Sequence, residues 1–280
     1  MAAVLGTNVA SLWASKNLQS AQSNMANSVE RLSSGLRINR ARDDAAGLAV
    51  ANSLTQQINS ADQGVRNLND GISMVQTSEG AISQASEMAQ RILTLAVQAT
   101  NGSLSTTQTT TINTEMTALI AAIDSITTRT TFSGTTLLGA VSITIYTGKS
   151  STESVSISAA ALATISSGGS AGTLSTAITT ATSASGPVNY LSIATAATAY
   201  ITALDTQRGA LGAIQNQMEY SVNNIVELSA NLSSARSRVI DTDYATETSN
   251  LTKGQILQQA ATAMLAQANQ MPNVILSLLK

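Results

Sequence analysis

The chain contains no cysteine and no histidine. Disulfides, thiolate or imidazole metal sites, and Ser-His or Cys-His nucleophile pairs are therefore excluded, and no cofactor is expected. Carboxylates and lysine remain, so catalysis is disfavoured rather than ruled out, and a non-enzymatic role is expected. Aromatic residues make up only 2% of the 280 residues and charged ones 11%, while proline occurs twice. Small side chains fill the gap; they let helices approach closely but give each residue little apolar area to bury. Stability must then come from long repeated contacts. The net charge of −2 argues against nucleic acid as a partner. No run reaches the ~18 apolar residues of a membrane span, so membrane insertion is not expected. Residues 1–12 lack a basic n-region and a sustained apolar run, so a cleaved signal peptide is not expected either.

What the chain does have is helical periodicity. From Ala51, apolar residues recur at Leu54, Ile58, Ala61, Val65, Leu68, Ile72 and Val75, and after one miss at Ser78 or Glu79 again at Ile82, Ala85, Ala89, Ile92, Ala96 and Ala99. Steps alternating between three and four are the seam of a helix packed along another helix. A helix of this length spans roughly 80 Å. Before it, Leu18, Ala21, Met25, Val29, Leu32 and Leu36 give a first helix within 3–36. The arginines at 31, 37, 40 and 42 are closed by Asp43 and Asp44, which reads as a helix junction rather than a nucleic-acid patch. Asn101-Gly102 ends the long helix, and Ile112, Met116, Leu119, Ile123 and Ile126 mark a shorter antiparallel neighbour.

The period then changes to two. Val141, Ile143 and Ile145, then Val155 and Ile157, alternate with polar residues and predict a β-hairpin at about 141–158. Gly148-Lys149-Ser150 lacks the earlier glycine and the following helix of a phosphate loop, so that reading is set aside. A Ser/Thr/Gly-rich variable segment follows at about 159–189; its stretch 164–187 reads as a surface loop or short irregular element, with O-linked modification as the sharper alternative. A second long helix runs from Tyr190 to Val239 on a stripe through Leu211, Met218, Val222, Ile225 and Leu228. Asp241 and Asp243 break it. The last helix carries Leu257, Ala261, Met264, Ala268, Met271, Ile275 and Leu278, with Pro272 expected to kink it.

The fold class expected is mainly α: a long antiparallel helical rod or coiled coil, with paired terminal helices and a small β-hairpin region. First pairs with last, and second with second-last. Terminal helices with such exposed stripes need partners beyond the chain, and head-to-tail association that does not close gives an open filament. The pattern alone suggests a polymer subunit.

Arg31-Leu32-Ser33-Ser34-Gly35-Leu36-Arg37-Ile38-Asn39, followed by Asp43-Asp44-Ala45-Ala46-Gly47-Leu48-Ala49, strongly resembles bacterial flagellin. The other end agrees at Ser234-Ala235-Arg236-Ser237-Arg238, Gln255-Ile256-Leu257-Gln258-Gln259-Ala260 and Leu265-Ala266-Gln267-Ala268-Asn269. The resemblance covers roughly 1–140 and 190–280. It implies a subunit that self-assembles into the helical flagellar filament, the propeller of swimming, with 1–43 and 241–280 as an inner coiled coil lining the channel and 44–240 as a rod-like core domain. Filament assembly would fall to Leu18, Met25, Val29, Leu32, Leu36, Leu257, Ala261, Met264, Ala268, Met271, Ile275 and Leu278. The resemblance further implies an extracellular location reached by type III export without a cleaved signal, an export chaperone on the C-terminal helix at about 250–280, and contacts with cap and hook-junction proteins. A host Toll-like receptor is a further partner it implies, with Arg91, Leu95 and Glu115 matching the contact motif and Thr94 standing where strong stimulators commonly carry an acid; the alternatives are that Leu95 packs beside the helix seam and that Arg91 and Glu115 are polar contacts between subunits. Rival readings are a hook-filament junction protein with flagellin-like ends and a secreted helical binding module.

Overall fold

A computed structural model describes residues 7–138, 142–148, 153–157, 170–183 and 187–278, the side chains of 170, 181–183, 187, 188 and 271–278 excepted. Among the described residues six helices and four short strands follow in the order α1 (Val9–Ser34), α2 (Ala45–Ala99), α3 (Thr106–Arg129), β1 (Thr131–Phe132), β2 (Thr135–Thr136), β3 (Ile143–Tyr146), β4 (Ser154–Ile157), α4 (Ser170–Ser183), α5 (Pro187–Ile240) and α6 (Tyr244–Leu278). Helices α2, α3, α5 and α6 lie where the spacing predicts helices; of the first helix expected within 3–36, Val9–Ser34 is helical, and residues 3–6 lie outside the described residues. Pro272 does not end α6, which continues to Leu278. The chain divides into two compact units, residues 1–56 with 231–280 and residues 57–230.

The larger unit, 57–230, carries a continuous apolar core. Leu68, Val75, Ile82, Ile92, Met116, Ile123, Leu174, Ile193, Leu204, Leu211 and Met218 are all fully buried in it. The break in the α2 seam falls on Ser78, which is buried at 3% exposure, and its hydroxyl donates to the Met74 carbonyl at 2.9 Å. A small hydroxyl can thus occupy a core position because its own helix satisfies it. Glu79 beside it pairs with Arg208 of α5 at 3.6 Å. Ser229 Oγ donates to Asp62, and Met218 lies against Gly71, so α2 and α5 run antiparallel here.

Helix α3 starts on a capping box: Gln108 N–H donates to Ser105 Oγ, and Ser105 N–H to Gln108 Oε1. It ends at Arg129, where β1 and β2 form a minimal hairpin. The turn residues Ser133 and Gly134 have φ of 48° and 82°, the paired positive values a two-residue turn requires. Strands β3 and β4 pair antiparallel with Ile143 opposite Ile157 and Ile145 opposite Val155, inside the predicted hairpin. This hairpin lies on α2 at two glycines seven residues apart. A Cβ at Gly64 would strike the Thr147 backbone, and one at Gly71 the Ile145 side chain. Between them Asn67 donates to the Tyr146 carbonyl at 2.9 Å. Lys149 and Ser150, the remainder of the rejected phosphate-loop triplet, lie outside the described residues.

One expectation fails in this unit. The stretch 164–187 is not a loop throughout: α4 occupies 170–183 and buries Ala171, Leu174 and Ile178 in the core. Those three apolar residues at steps of three and four suffice for a helical face, although Ser, Thr and Gly dominate the composition around them. The early turns of α5 also add more core than the stripe from Leu211 implies, through Tyr190, Ile193, Ala197, Tyr200 and Leu204. Tyr190 accepts a hydrogen bond from Asn113 at 3.1 Å. Burial, and then the nearby Asp124 charge, pushes the Tyr200 phenol well above its ordinary range.

Candidate functional site: the terminal helix pair

In the smaller unit α1 and α6 lie side by side and antiparallel. At one end Asn8 caps α1 by accepting from Ser11 N–H, and its Nδ2 donates to the Ala268 carbonyl at 2.7 Å. Ser11 donates to Asn269 beside it. At the other end Arg31 pairs with Glu247 at 3.6 Å, and Glu247 is buried.

The seam between the helices is made of small residues. Ala14, Ala21 and Ser28 of α1 are buried at seven-residue intervals, and so are Glu247, Gly254, Ala261 and Ala268 of α6. Leu18, Met25, Leu32, Leu251 and Leu265 sit half-buried along its edges. This corrects the α6 stripe expected from sequence: Ala261 and Ala268 face α1, whereas Leu257 and Met264 are 47% and 64% exposed. On α1, Val29 is likewise exposed and Ser28 takes the inner position. The reason is geometric. Rows at 254–261–268 and at 257–264 differ by three residues, so both read as helical stripes, but only the row of small side chains permits close approach.

The larger apolar groups are left on the outside. Val9, Leu12, Trp13, Ile256, Leu257 and Met264 are each close to half exposed or more. Val9, Trp13, Asn17, Leu257, Met264 and Gln267 help line a shallow groove of about 820 Å³ along the pair. Trp13 is the chain's only tryptophan, and the Lys16 ammonium lies 5.4 Å from its ring centroid. Met271, Ile275 and Leu278 belong to α6, but their side chains lie outside the described residues.

The junctions are held by backbone bonds and caps. Gly35 ends α1 with φ of 72°, a left-handed value that suits glycine, and a Cβ there would meet the Tyr244 hydroxyl at 3.0 Å. Its carbonyl accepts from Thr242 N–H at 2.9 Å, Arg37 N–H donates to the Ile240 carbonyl at 2.6 Å, and the Arg37 guanidinium reaches the Val239 carbonyl. Leu36, half-buried, bridges to Asp241. Asp44 accepts from Gly47 N–H at the start of α2, as the paired aspartates predict. Asp43 accepts from Arg40 and Asn39 N–H, and the Arg40 bond above all holds its carboxyl below the usual range. Asp243 caps α6; the Thr246 hydroxyl, then the Thr246 and Ala245 amides, lower its pKa in the same way.

The three residues matched to a receptor contact lie in the larger unit. The Arg91 guanidinium donates to Glu115 Oε1 at 2.8 Å, joining α2 to α3 with both side chains about half exposed. Leu95 points inward and is 2% exposed, packed in the core. Thr94 is exposed, and its hydroxyl is bonded to the Gln90 carbonyl. Among the described residues no group of acids could hold a metal ion, and no helix is long and apolar enough to cross a membrane.

The model of the bacterial flagellin N-terminal helical region matches residues 5–142, and that of the C-terminal helical region matches 194–279. The chain belongs to the flagellin family. It is 39% identical to a flagellin of Xenorhabdus nematophila over the full length of both chains, and 36% identical to that of Bacillus subtilis over 98% of each. Flagellin B of Vibrio cholerae is 31% identical in an alignment spanning 375 positions, which the 280 residues here cross with gaps. The crystal structure of Bacillus cereus flagellin has a TM-score of 0.49 and 23% identity, covering 61% of this chain and 94% of that one. The two matched regions flank residues 143–193, and the variable region of this flagellin is short. The protein is thus a structural subunit of the bacterial flagellar filament, which serves motility.

Proposed function

We propose that residues 1–43 and 241–280 form the innermost layer of the filament, lining its channel, and that 44–240 form the rod-like layer around it. One observation carries this reading. Apart from Glu247 at one end, the α1–α6 seam takes small side chains and leaves Leu12, Trp13, Ile256, Leu257 and Met264 largely exposed. Covering such groups is favourable by about 25 cal/mol per Å² of apolar area removed from water. Neighbouring copies supply the cover, so ordering of the terminal helices is tied to polymerisation. The same stripe explains a need for an export chaperone on about 250–280 while the subunit is unassembled. Membership of the family supports export by the flagellar type III route and addition beneath a cap protein. The role is mechanical and without catalysis, in keeping with a chain that has neither histidine nor cysteine.

The test compares the full-length protein with a version lacking 1–36 and 251–280, by electron microscopy and sedimentation under seeded conditions. Long tubular polymers from the first and soluble monomers from the second are expected. Polymers of the same kind from the truncated protein would refute the assignment of assembly to the terminal helices.

A further inference from the structure

The charges of the chain are segregated. Residues 1–56 and 231–280 carry nine Lys and Arg against six Asp and Glu, whereas 57–230 carry five against ten. One unit is therefore at +3 and the other at −5, which together give the −2 of the whole. Nothing in a helical fold demands this. A net charge of −2 spread evenly would serve solubility as well.

The exposed members of each set sharpen the contrast. In the basic unit, Arg31 and Arg40 are already engaged by Glu247 and Glu30. Arg37, Arg236 and Arg238 have no ion-pair partner among the described residues, and Arg42 meets only its neighbour Asp43, at 3.6 Å. Asp43, Asp44 and Asp243 accept from backbone amides at caps and turns, so their charge is committed locally. In the acidic unit, Asp62 and Asp70 on α2 and Glu219 and Glu227 on α5 are exposed and unpaired with any cation among the described residues. Each pair is eight residues apart, about 12 Å along its helix. They lie along the stretch where Ser229 meets Asp62 and Met218 meets Gly71. Arg66 stands between the two aspartates in sequence, but its guanidinium is bonded to Gln63 Oε1 at 2.7 Å.

We infer that the exposed arginines Arg42 and Arg238 of one copy dock on the exposed carboxylates Asp62, Asp70, Glu219 and Glu227 of a second copy. The inference rests on the polymer reading above and specifies one of its contacts. Charge favours such a contact beside the apolar packing of terminal helices: placing the basic unit of one copy on the acidic unit of the next is attractive and offsets the repulsion between like units. Such a contact uses different patches on the two copies, is heterologous, and propagates without closing. It sets register and speeds encounter more than it adds affinity, complementing the non-directional burial of the apolar groove.

The experiment is a charge swap in the full-length chain. One variant carries Arg42→Glu with Arg238→Glu, a second Asp70→Lys with Glu219→Lys, and a third all four changes. Circular dichroism of each monomer checks that the helices are retained. Seeded elongation of the wild type and of each variant is followed by light scattering and by sedimentation. The inference predicts elongation about tenfold slower or worse for each one-sided variant, with substantial recovery in the four-fold variant assembling on its own seeds. One-sided variants that elongate like the wild type would overturn it, and so would a four-fold variant slower than either parent. Failure of the wild type itself to polymerise would instead strike the polymer reading, and this contact with it.

Discussion

The two units solve the same problem, packing long helices with few aromatics, in opposite ways. The unit spanning 57–230 buries its large side chains within one chain: Leu68, Ile82, Ile92, Met116 and Ile123 are all shielded from water. The unit made of the chain's two ends buries Ala14, Ala21, Ala261 and Ala268 and keeps Trp13, Ile256 and Met264 outside. A core of leucine and isoleucine stabilises a monomer. A seam of alanine aligns two helices and reserves the larger apolar groups for another molecule. The difference teaches that apolar content does not by itself locate a core; which side chains face inward separates folding from assembly.

That contrast can be broken by mutation, and the largest effect should come from the larger unit. Ile123→Ala removes a fully buried side chain and is expected to cost about 2–5 kcal/mol of monomer stability by denaturant unfolding. Met264→Ala removes one that is 64% exposed and should change monomer stability by only about 0.5 kcal/mol or less, while raising the concentration needed for polymerisation. Equal destabilisation of the monomer by both would erase the distinction.

A smaller effect should separate the units by pH. Asp43 and Asp243, both in the smaller unit, have carboxyl pKa values held below the ordinary 3.8 by hydrogen bonds from Arg40 N–H and from Thr246 respectively. A depressed folded pKa contributes stability that is present above the unfolded value and lost as pH falls through the folded one. Acidification below about pH 4 should therefore loosen the junctions at 39–43 and 243–246. Amide hydrogen exchange would report this as faster exchange at Asn39, Arg40, Ala245 and Thr246, with core amides of α3 keeping their protection. Loss of protection in both regions together would contradict the local reading.

Much of this architecture is legible in the sequence. Steps of three and four residues from Ala51 to Ala99 find α2 and its C-terminal end, period two finds the β3–β4 hairpin, and Asp44 and Asp243 announce helix starts. What is less legible follows from small side chains. Gly254 and Ala261 carry little hydrophobic signal, so the row through Leu257 and Met264 dominates the pattern although its members lie outside the seam, exposed along the groove. Ser78 looks like an interruption because its hydroxyl bond to Met74 is invisible in one dimension. Helix α4 is obscured by surrounding serine and threonine, whose apolar partners at 171, 174 and 178 are few. Leu95 resembles a surface determinant by motif, but its position on the helix turns it inward. In each case the missing information is which neighbour a helix face meets, and that is set by tertiary packing rather than by local preference.

The central claim is that the terminal helix pair is left incomplete in the monomer and is completed by other copies. Trp13 reports on it directly, being the only tryptophan and 60% exposed beside the groove. The decisive measurement is its fluorescence, with acrylamide quenching, before and after seeded polymerisation. The account predicts red-shifted, readily quenched emission from the monomer and blue-shifted, protected emission from the polymer. Emission and quenching that stay the same while polymers form would contradict it.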